Sequence, residues 1–256
     1  MSVLNGPGLG RTLATALRRA LRISLVAALV AVAVLGVEIE LARFGRRVPG
    51  PPPGVEWCVN CDPGAPQEPL PMVWLGDSTA AGVGATTADA TLPRQVAARV
   101  GRPVQLTVLA RAGARVRDVV EEQLPRARGL RPELVIVSVG SNDTTHLTGV
   151  GTYRQQWSRM VVPRGSVLIA LGIPDMGSPP RLAQPLRALV GWRGRRLDDQ
   201  GARRLAEHEL ATYVDIAGDT GPAFRDEPGR YFARDRYHPS DEGYGLWAEA
   251  VLRHIG

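Results

Sequence analysis

From Met72 onward the chain alternates, and that alternation constrains its fold more than any other feature. Five short apolar runs, 72–75, 104–109, 134–139, 167–171 and 212–215, are separated by stretches with helical periodicity. The run Leu134-Val135-Ile136-Val137-Ser138-Val139 lacks polar alternation, so it reads as a strand buried on both faces. Helical patterns cover 92–100, 116–126, 153–161 and 186–209, and Ser240 is placed to cap a last helix reaching His254. Strands alternating with helices predict a parallel sheet covered on both faces, here five strands over residues 72–256. In such a sheet, function belongs at the carboxyl ends of the strands.

Residues 1–47 are different in kind. Ile23 to Val37 is a fifteen-residue stretch without a charge, flanked by arginines on both sides. Extended to Ala20 and Leu41, with Arg22 snorkelling, it just spans a bilayer. Three readings stand: a membrane anchor, a signal peptide cleaved near Ala31-Val32-Ala33, or a buried helix. The four leading arginines favour an inside N-terminus and an extracytoplasmic body, while Arg43, Arg46 and Arg47 pull the other way. Residues 48–71 contain eight prolines and read as a stiff, extended spacer. The only two cysteines, Cys58 and Cys61, lie within it as C-x-x-C. That is half a zinc site with no second pair, so no metal is expected; outside the cytoplasm a local disulfide is the expected state.

Composition removes several functions. The formal net charge is +6, and all 31 basic residues are arginine. Without lysine there is no Schiff base, no pyridoxal phosphate anchor and no phosphate-loop lysine. Residues 1–50 hold seven arginines against two acids, so five of the six net charges flank the apolar segment. The body is nearly neutral and only 5% of the chain is aromatic, which argues against nucleic acid as a partner.

Four blocks at strand ends carry the candidate chemistry. Gly76-Asp77-Ser78 follows the first strand, Arg111-Ala112-Gly113 the second, and Gly140-Ser141-Asn142-Asp143 the third. Asp235-Arg236-Tyr237-His238 precedes the last helix. A carboxylate three residues before a histidine can fold back onto Nδ1, leaving Nε2 free to take a proton from a serine. Taken singly, each block also reads as ordinary loop punctuation. The G-x-S-x-G elbow is absent.

In this order and at these strand ends, the four blocks resemble the SGNH hydrolase superfamily, also called the GDSL esterase/lipase family. The resemblance covers roughly 72–255, and the stretches 75–82 and 184–187 look like actinobacterial members. It implies a flavodoxin-like three-layer sandwich, the SGNH hydrolase fold, preceded by the N-terminal transmembrane or signal helix. It also implies Ser78 as nucleophile, His238 as general base and Asp235 as its orienting partner. The Ser78 and Gly113 backbone N–H groups and the Asn142 side chain would form the oxyanion hole. Gly76, Asp77, Gly140 and Asp143 would support the loops, Asp143 as a brace. No cofactor is implied.

The expected activity is hydrolysis of an acyl ester through an acyl-serine, by a protein held at the membrane or secreted. An acyltransferase using the same intermediate, or a non-catalytic envelope-binding protein, are the alternatives. Two departures from the family pattern stand out. Thr79 replaces the usual leucine at the pocket floor, and Arg111 replaces an asparagine, putting a charge near the site that would favour anionic substrates unless it is a surface residue. Gly113 is expected to let the backbone approach because it has no Cβ. Arg181, Arg187, Arg193, Arg195 and Arg196 cluster in 177–196, either bordering the site toward an anionic or lipid surface or forming a solvated helix face. His146, His208 and His254 and the pair Asp198-Asp199 read as solvent-facing.

Overall fold

The computed structural model describes residues 8–44, 56–62, 67–208 and 210–255. The chain divides into two compact units, Met1–Phe44 and Gly45–Gly256. The described residues of the first form one helix, α1 (Gly8–Phe44), whose stretch Ala16–Glu40 is long and apolar enough to cross a membrane.

In the second unit the order is β1 (Glu56–Val59), β2 (Leu70–Gly76), α2 (Leu92–Arg99) and β3 (Val104–Val108). Next comes α3 (Val116–Asp118), which runs through a π-helical turn, Val119–Gln123, into α4 (Leu124–Leu130). After β4 (Leu134–Ser138) come α5 (Ser141–Thr145), α6 (Val150–Trp157), β5 (Val167–Leu171) and α7 (Leu186–Leu205). The chain closes with β6 (Ala211–Val214), α8 (Ile216–Asp226), α9 (Pro228–Tyr231) and α10 (Asp241–Leu252).

The sheet has six strands in the order β1-β3-β2-β4-β5-β6. The five from β2 to β6 are parallel, and β1 pairs antiparallel with β3. This corrects two expectations: the sheet is mixed and six-stranded, and the spacer read over 48–71 contributes its outer strand. The reason is local. Glu56-Trp57-Cys58-Val59 is free of proline, and an edge strand needs hydrogen-bond partners on one side only. Cys58 and Cys61 are joined in a disulfide at its end.

Parallel strands alternate their side chains between two cores. Met72 and Trp74 face one core with α2, α8 and α10; Val73 and Leu75 face the other with α4, α6 and α7. β4 is buried along its whole length, as its unbroken apolar run requires. Caps set where the last helices begin: Asp215 accepts from the Gly218 N–H at 2.8 Å and Ser240 Oγ from the Gly243 N–H at 3.1 Å. These two helices start beside the carboxyl ends of the strands, where the candidate site lies.

Candidate active site

The site is built where β2 ends. Gly76 has φ +146°, and a Cβ there would lie 2.0 Å from the Ser138 carbonyl oxygen, so only glycine lets β2 leave the sheet this close to β4. Gln123, 3% exposed on the π-helical turn, holds both polar groups of this residue. Its Oε1 accepts from the Gly76 N–H at 2.7 Å and its Nε2 donates to the Gly76 carbonyl at 2.9 Å. Ser78 follows two residues later, partly exposed, with its hydroxyl beside His238.

His238 arrives from the far end of the chain. Ser78 Oγ is 3.0 Å from His238 Nε2, and His238 Nδ1 is 2.6 Å from Asp235 Oδ2. Asp235 Oδ1 also accepts from the Tyr237 and His238 backbone N–H groups, at 3.0 Å each. Burial alone would push the Asp235 carboxyl up; the hydrogen bond and charge of His238, with those two N–H groups, overrule it and hold the carboxyl below its ordinary value. The Tyr237 ring stands edge-on to His238 at 5.2 Å and limits its tilt. Gly84 lets this loop sit down: a Cβ there would be 2.4 Å from the Pro239 carbonyl oxygen and 3.1 Å from His238 Cβ.

The expected oxyanion donors besides Ser78 are Asn142 and Gly113. Asn142 lies in the first turn of α5, and its Nδ2 donates to the Ala114 carbonyl at 3.0 Å and to Asp77 Oδ2 at 3.5 Å, which ties the third block to the second and the first. Both of its amide hydrogens are thereby directed at protein acceptors, the one toward Asp77 at the longer distance. Gly113 is exposed at φ +84°, in the turn closed by the Ala114 N–H on the Arg111 carbonyl. A Cβ there meets nothing within 4 Å. Gly113 is therefore required by its backbone conformation, a correction to the expectation that close approach demands it.

Asp77 is fully buried, and burial pushes its carboxyl up to about 6 against the pull of the Thr79 N–H and hydroxyl. These donate to Asp77 Oδ1 at 3.0 and 2.9 Å. The departure at Thr79 thus supplies a hydroxyl that leucine could not. Asp143 accepts from the Val116 N–H at 3.0 Å, bracing α5 against α3. Gly140 precedes α5 as its cap residue.

Other expectations fall away from the site. Arg111 is exposed and lies 3.4 Å from Glu122 and 3.7 Å from Asp118, so its charge is answered at the surface. Arg193 donates to the Thr144 and Thr148 carbonyls, locking α7 to the loop after α5, and Arg187 Nε donates to the Leu182 carbonyl at 2.6 Å. Arg196 lies over the Trp192 ring at 5.6 Å. Arg187, Arg193 and Arg196 thus have separate partners. Asp198 is a correction: it accepts from the Ile173 N–H at 2.7 Å and the Tyr213 hydroxyl at 2.5 Å, and burial raises its carboxyl to about 6. The helical pattern gave no sign of those partners. His146 and His254 are exposed, and His208 is half-buried. No group of three or more metal-ligating side chains occurs among the described residues.

Gln123, Gly84 and Tyr237 carry no mark of these roles in the sequence; Gln123 shows only as a glutamine after two acids in a helical pattern. A cleft holding about 490 Å³ of free space, continuous with solvent, opens from Ser78 and His238 past Ser141, Asp175 and Ser178 toward Phe224 and Trp247. The arrangement can take a proton from Ser78 Oγ onto His238 Nε2.

Comparison with known proteins places the same region of the chain in a known family. The sequence model of the GDSL-like Lipase/Acylhydrolase family matches residues 74–246. A Mycobacterium tuberculosis protein named GDSL-like esterase is 32% identical over 189 residues, covering 71% of this chain and 60% of that protein. The chain therefore spans well under two thirds of that relative's length. Among solved structures, phospholipase A1 from Streptomyces albidoflavus superposes with a TM-score of 0.58 at 20% identity, covering 73% of this chain and 99% of that one. An acetylxylan esterase from Geobacillus stearothermophilus gives 0.52 at 19% identity, covering 73% and 94%. At these identities the likeness is one of fold: an α/β sandwich with a mostly parallel sheet.

Proposed function

The chain belongs to the GDSL-like lipase/acylhydrolase family, and from that premise we propose that its second unit is a serine carboxylic ester hydrolase acting through an acyl-serine. The observation that carries this reading is the continuous chain from Asp235 through His238 to Ser78. Serine is a weak nucleophile at its own pKa and needs a base within hydrogen-bond reach. In the first half-reaction Ser78 Oγ bonds to the ester carbon while its proton passes to His238 Nε2. Asp235, whose carboxylate stays ionised, holds Nδ1–H and stabilises the imidazolium.

The carbonyl oxygen then carries the negative charge. The Ser78 and Gly113 N–H groups have no acceptor among the described hydrogen bonds, and Asn142 joins them by exchanging its long 3.5 Å bond to Asp77 for the substrate oxygen. Losing one such donor costs on the order of 10²–10³ in rate. When the intermediate collapses, His238 returns its proton to the leaving alcohol oxygen. Water then attacks the acyl-serine with His238 again as base, releasing the acid and restoring Ser78.

The test is labelling by a fluorophosphonate probe together with hydrolysis of nitrophenyl acetate. Ser78→Ala is expected to abolish both; turnover that survives this substitution overturns the reading. Acyl transfer to a sugar or lipid hydroxyl is the alternative fate of the same intermediate. Hydrolysis in isotopically labelled water with an added acceptor separates the two by product. The apolar helix α1 supports attachment to a membrane with the hydrolase on the extracytoplasmic side, where the Cys58–Cys61 disulfide is chemically stable. Secretion after signal cleavage is the alternative, and the N-terminal sequence of the mature protein distinguishes them.

A further inference from the structure

The cleft runs from Ser78 away from the expected oxyanion donors. In the strand order, Gly113 follows β3 on one side of β2, whereas the cleft extends past the ends of β4, β5 and β6 on the other. Its mouth is partly exposed at Ser78, Ser141 and His238. Its far end is made by Met176, Phe224, Phe232 and Trp247, none more than 8% exposed. The Phe224 ring stands edge-on to Phe232 at 4.9 Å and 6.0 Å from Trp247. These three rings also belong to the core cluster between the sheet and α8 and α10, so the recess cannot lengthen without unpacking that core.

The polar groups along its walls are largely committed. Ser178 Oγ donates to the Asp175 carbonyl at 2.7 Å, and Thr220 Oγ1 donates to the Ile216 carbonyl at 2.6 Å. The Asp175 carboxylate is paired with Arg225 and accepts from the Gly177 N–H. The Trp247 indole N–H is the one buried side-chain donor of the lining without an acceptor among the described residues. A polyol pushed into this recess would shed water from its hydroxyls and find few donors in return, whereas an alkyl chain gains from burial alone.

Resting on the acyl-serine reading above, we infer that this recess is the acyl subsite, and that it takes a short unbranched hydrocarbon chain ending against Phe224. With the carbonyl oxygen turned toward Gly113 and Asn142, the chain enters the recess. The alcohol portion stays at the open mouth, where His238 can protonate its oxygen. Burial that reaches the transition state raises kcat/KM by about fourfold per methylene until the chain meets the wall.

Two ester series measured on the full chain test this. Nitrophenyl esters from acetate to decanoate vary the acyl chain, and acetates of straight-chain alcohols vary the other half. The first series is expected to rise, peak at hexanoate or shorter, and then fall by tenfold or more by decanoate; the second is expected to be flat. Gly221→Ala adds a methyl in α8 that faces Asp175 Cβ at 3.3 Å, and is expected to move the peak to a shorter chain. Alanine suits the helix better than glycine, and the urea midpoint of this variant is measured alongside to confirm that it folds. Met176→Ala is expected to move the peak to a longer chain. A peak that neither variant moves, with Ser78-dependent turnover intact, refutes the subsite and leaves the hydrolase reading standing. A response confined to the alcohol series assigns the recess to the alcohol and overturns the proposal. So does a preference for chains carrying an oxygen that vanishes in Trp247→Phe. Absence of Ser78-dependent turnover in both series ends the underlying reading and the subsite with it.

Discussion

Replacing Gln123 by leucine separates scaffold from chemistry at the point where the nucleophile leaves the sheet. Leucine is close to glutamine in size, so Gln123→Leu removes two hydrogen bonds without opening a large cavity. The Gly76 carbonyl keeps a second donor, the Arg111 N–H at 3.1 Å, but the Gly76 N–H loses Gln123 Oε1 at 2.7 Å. One buried backbone donor is thus orphaned, at a cost of about 1–3 kcal/mol. A stability loss of about 2 kcal/mol is expected, read as a lower urea midpoint with unchanged slope.

The same change frees the Gly76 peptide two residues before Ser78. A displacement of about 1 Å at a reacting atom costs roughly 10²-fold, so kcat for nitrophenyl acetate should fall between about tenfold and a hundredfold, with KM little changed. Gln123→Glu can still accept from the Gly76 N–H but cannot donate when ionised, and should fall between wild type and leucine. Glu122→Gln, at the exposed neighbour, serves as control. Leucine at 123 with an unchanged midpoint and unchanged kcat would refute the claim that this side chain positions the nucleophile.

Three further outcomes follow from the same geometry. Gly84→Ala places a Cβ 2.4 Å from the Pro239 carbonyl oxygen, so the His238 loop must shift; fluorophosphonate labelling of Ser78 should slow by about tenfold or more, from the displacement of the base. Asp77 is raised from its ordinary 3.8 to about 6, so the folded state binds a proton that the unfolded state releases between these values. Stability should therefore fall as pH rises from about 4 to about 6, by about 3 kcal/mol from this group, and Asp77→Asn should flatten that slope in urea titrations. Reduction of the Cys58–Cys61 disulfide, which closes a loop of sequence separation three, should cost about 2 kcal/mol; hydrogen exchange should show it as lost protection over Glu56–Val59. Unchanged exchange there after reduction would show that strand pairing alone holds β1.

What could be read from the residue order is what local physics dictates. An unbroken apolar run such as Leu134–Val139 has only a buried central strand to occupy, and β4 is that strand. Asp235 and His238 are close enough along the chain to meet within one turn, so their contact needs no tertiary information. The small residues after each strand likewise mark the edge where loops must turn. Those features sufficed to anticipate a parallel sheet covered on both faces; that the four blocks work together came from their resemblance to a known family.

Tertiary structure decided the rest, because the decisive partners are far apart in sequence. Gln123 clamps a peptide 47 residues away, and Ser78 meets His238 across 160. No periodicity encodes either distance. Proline content made residues 48–71 look like a spacer, yet four proline-free residues found an open edge on β3 and became a strand. Asp198 and Arg193 sit on a helix whose charge pattern suggests solvent, and both are bound inward by groups on other elements. Composition and pattern specify which surfaces must be buried; which polar group satisfies which, and hence where a proton can move, is settled only when the layers close.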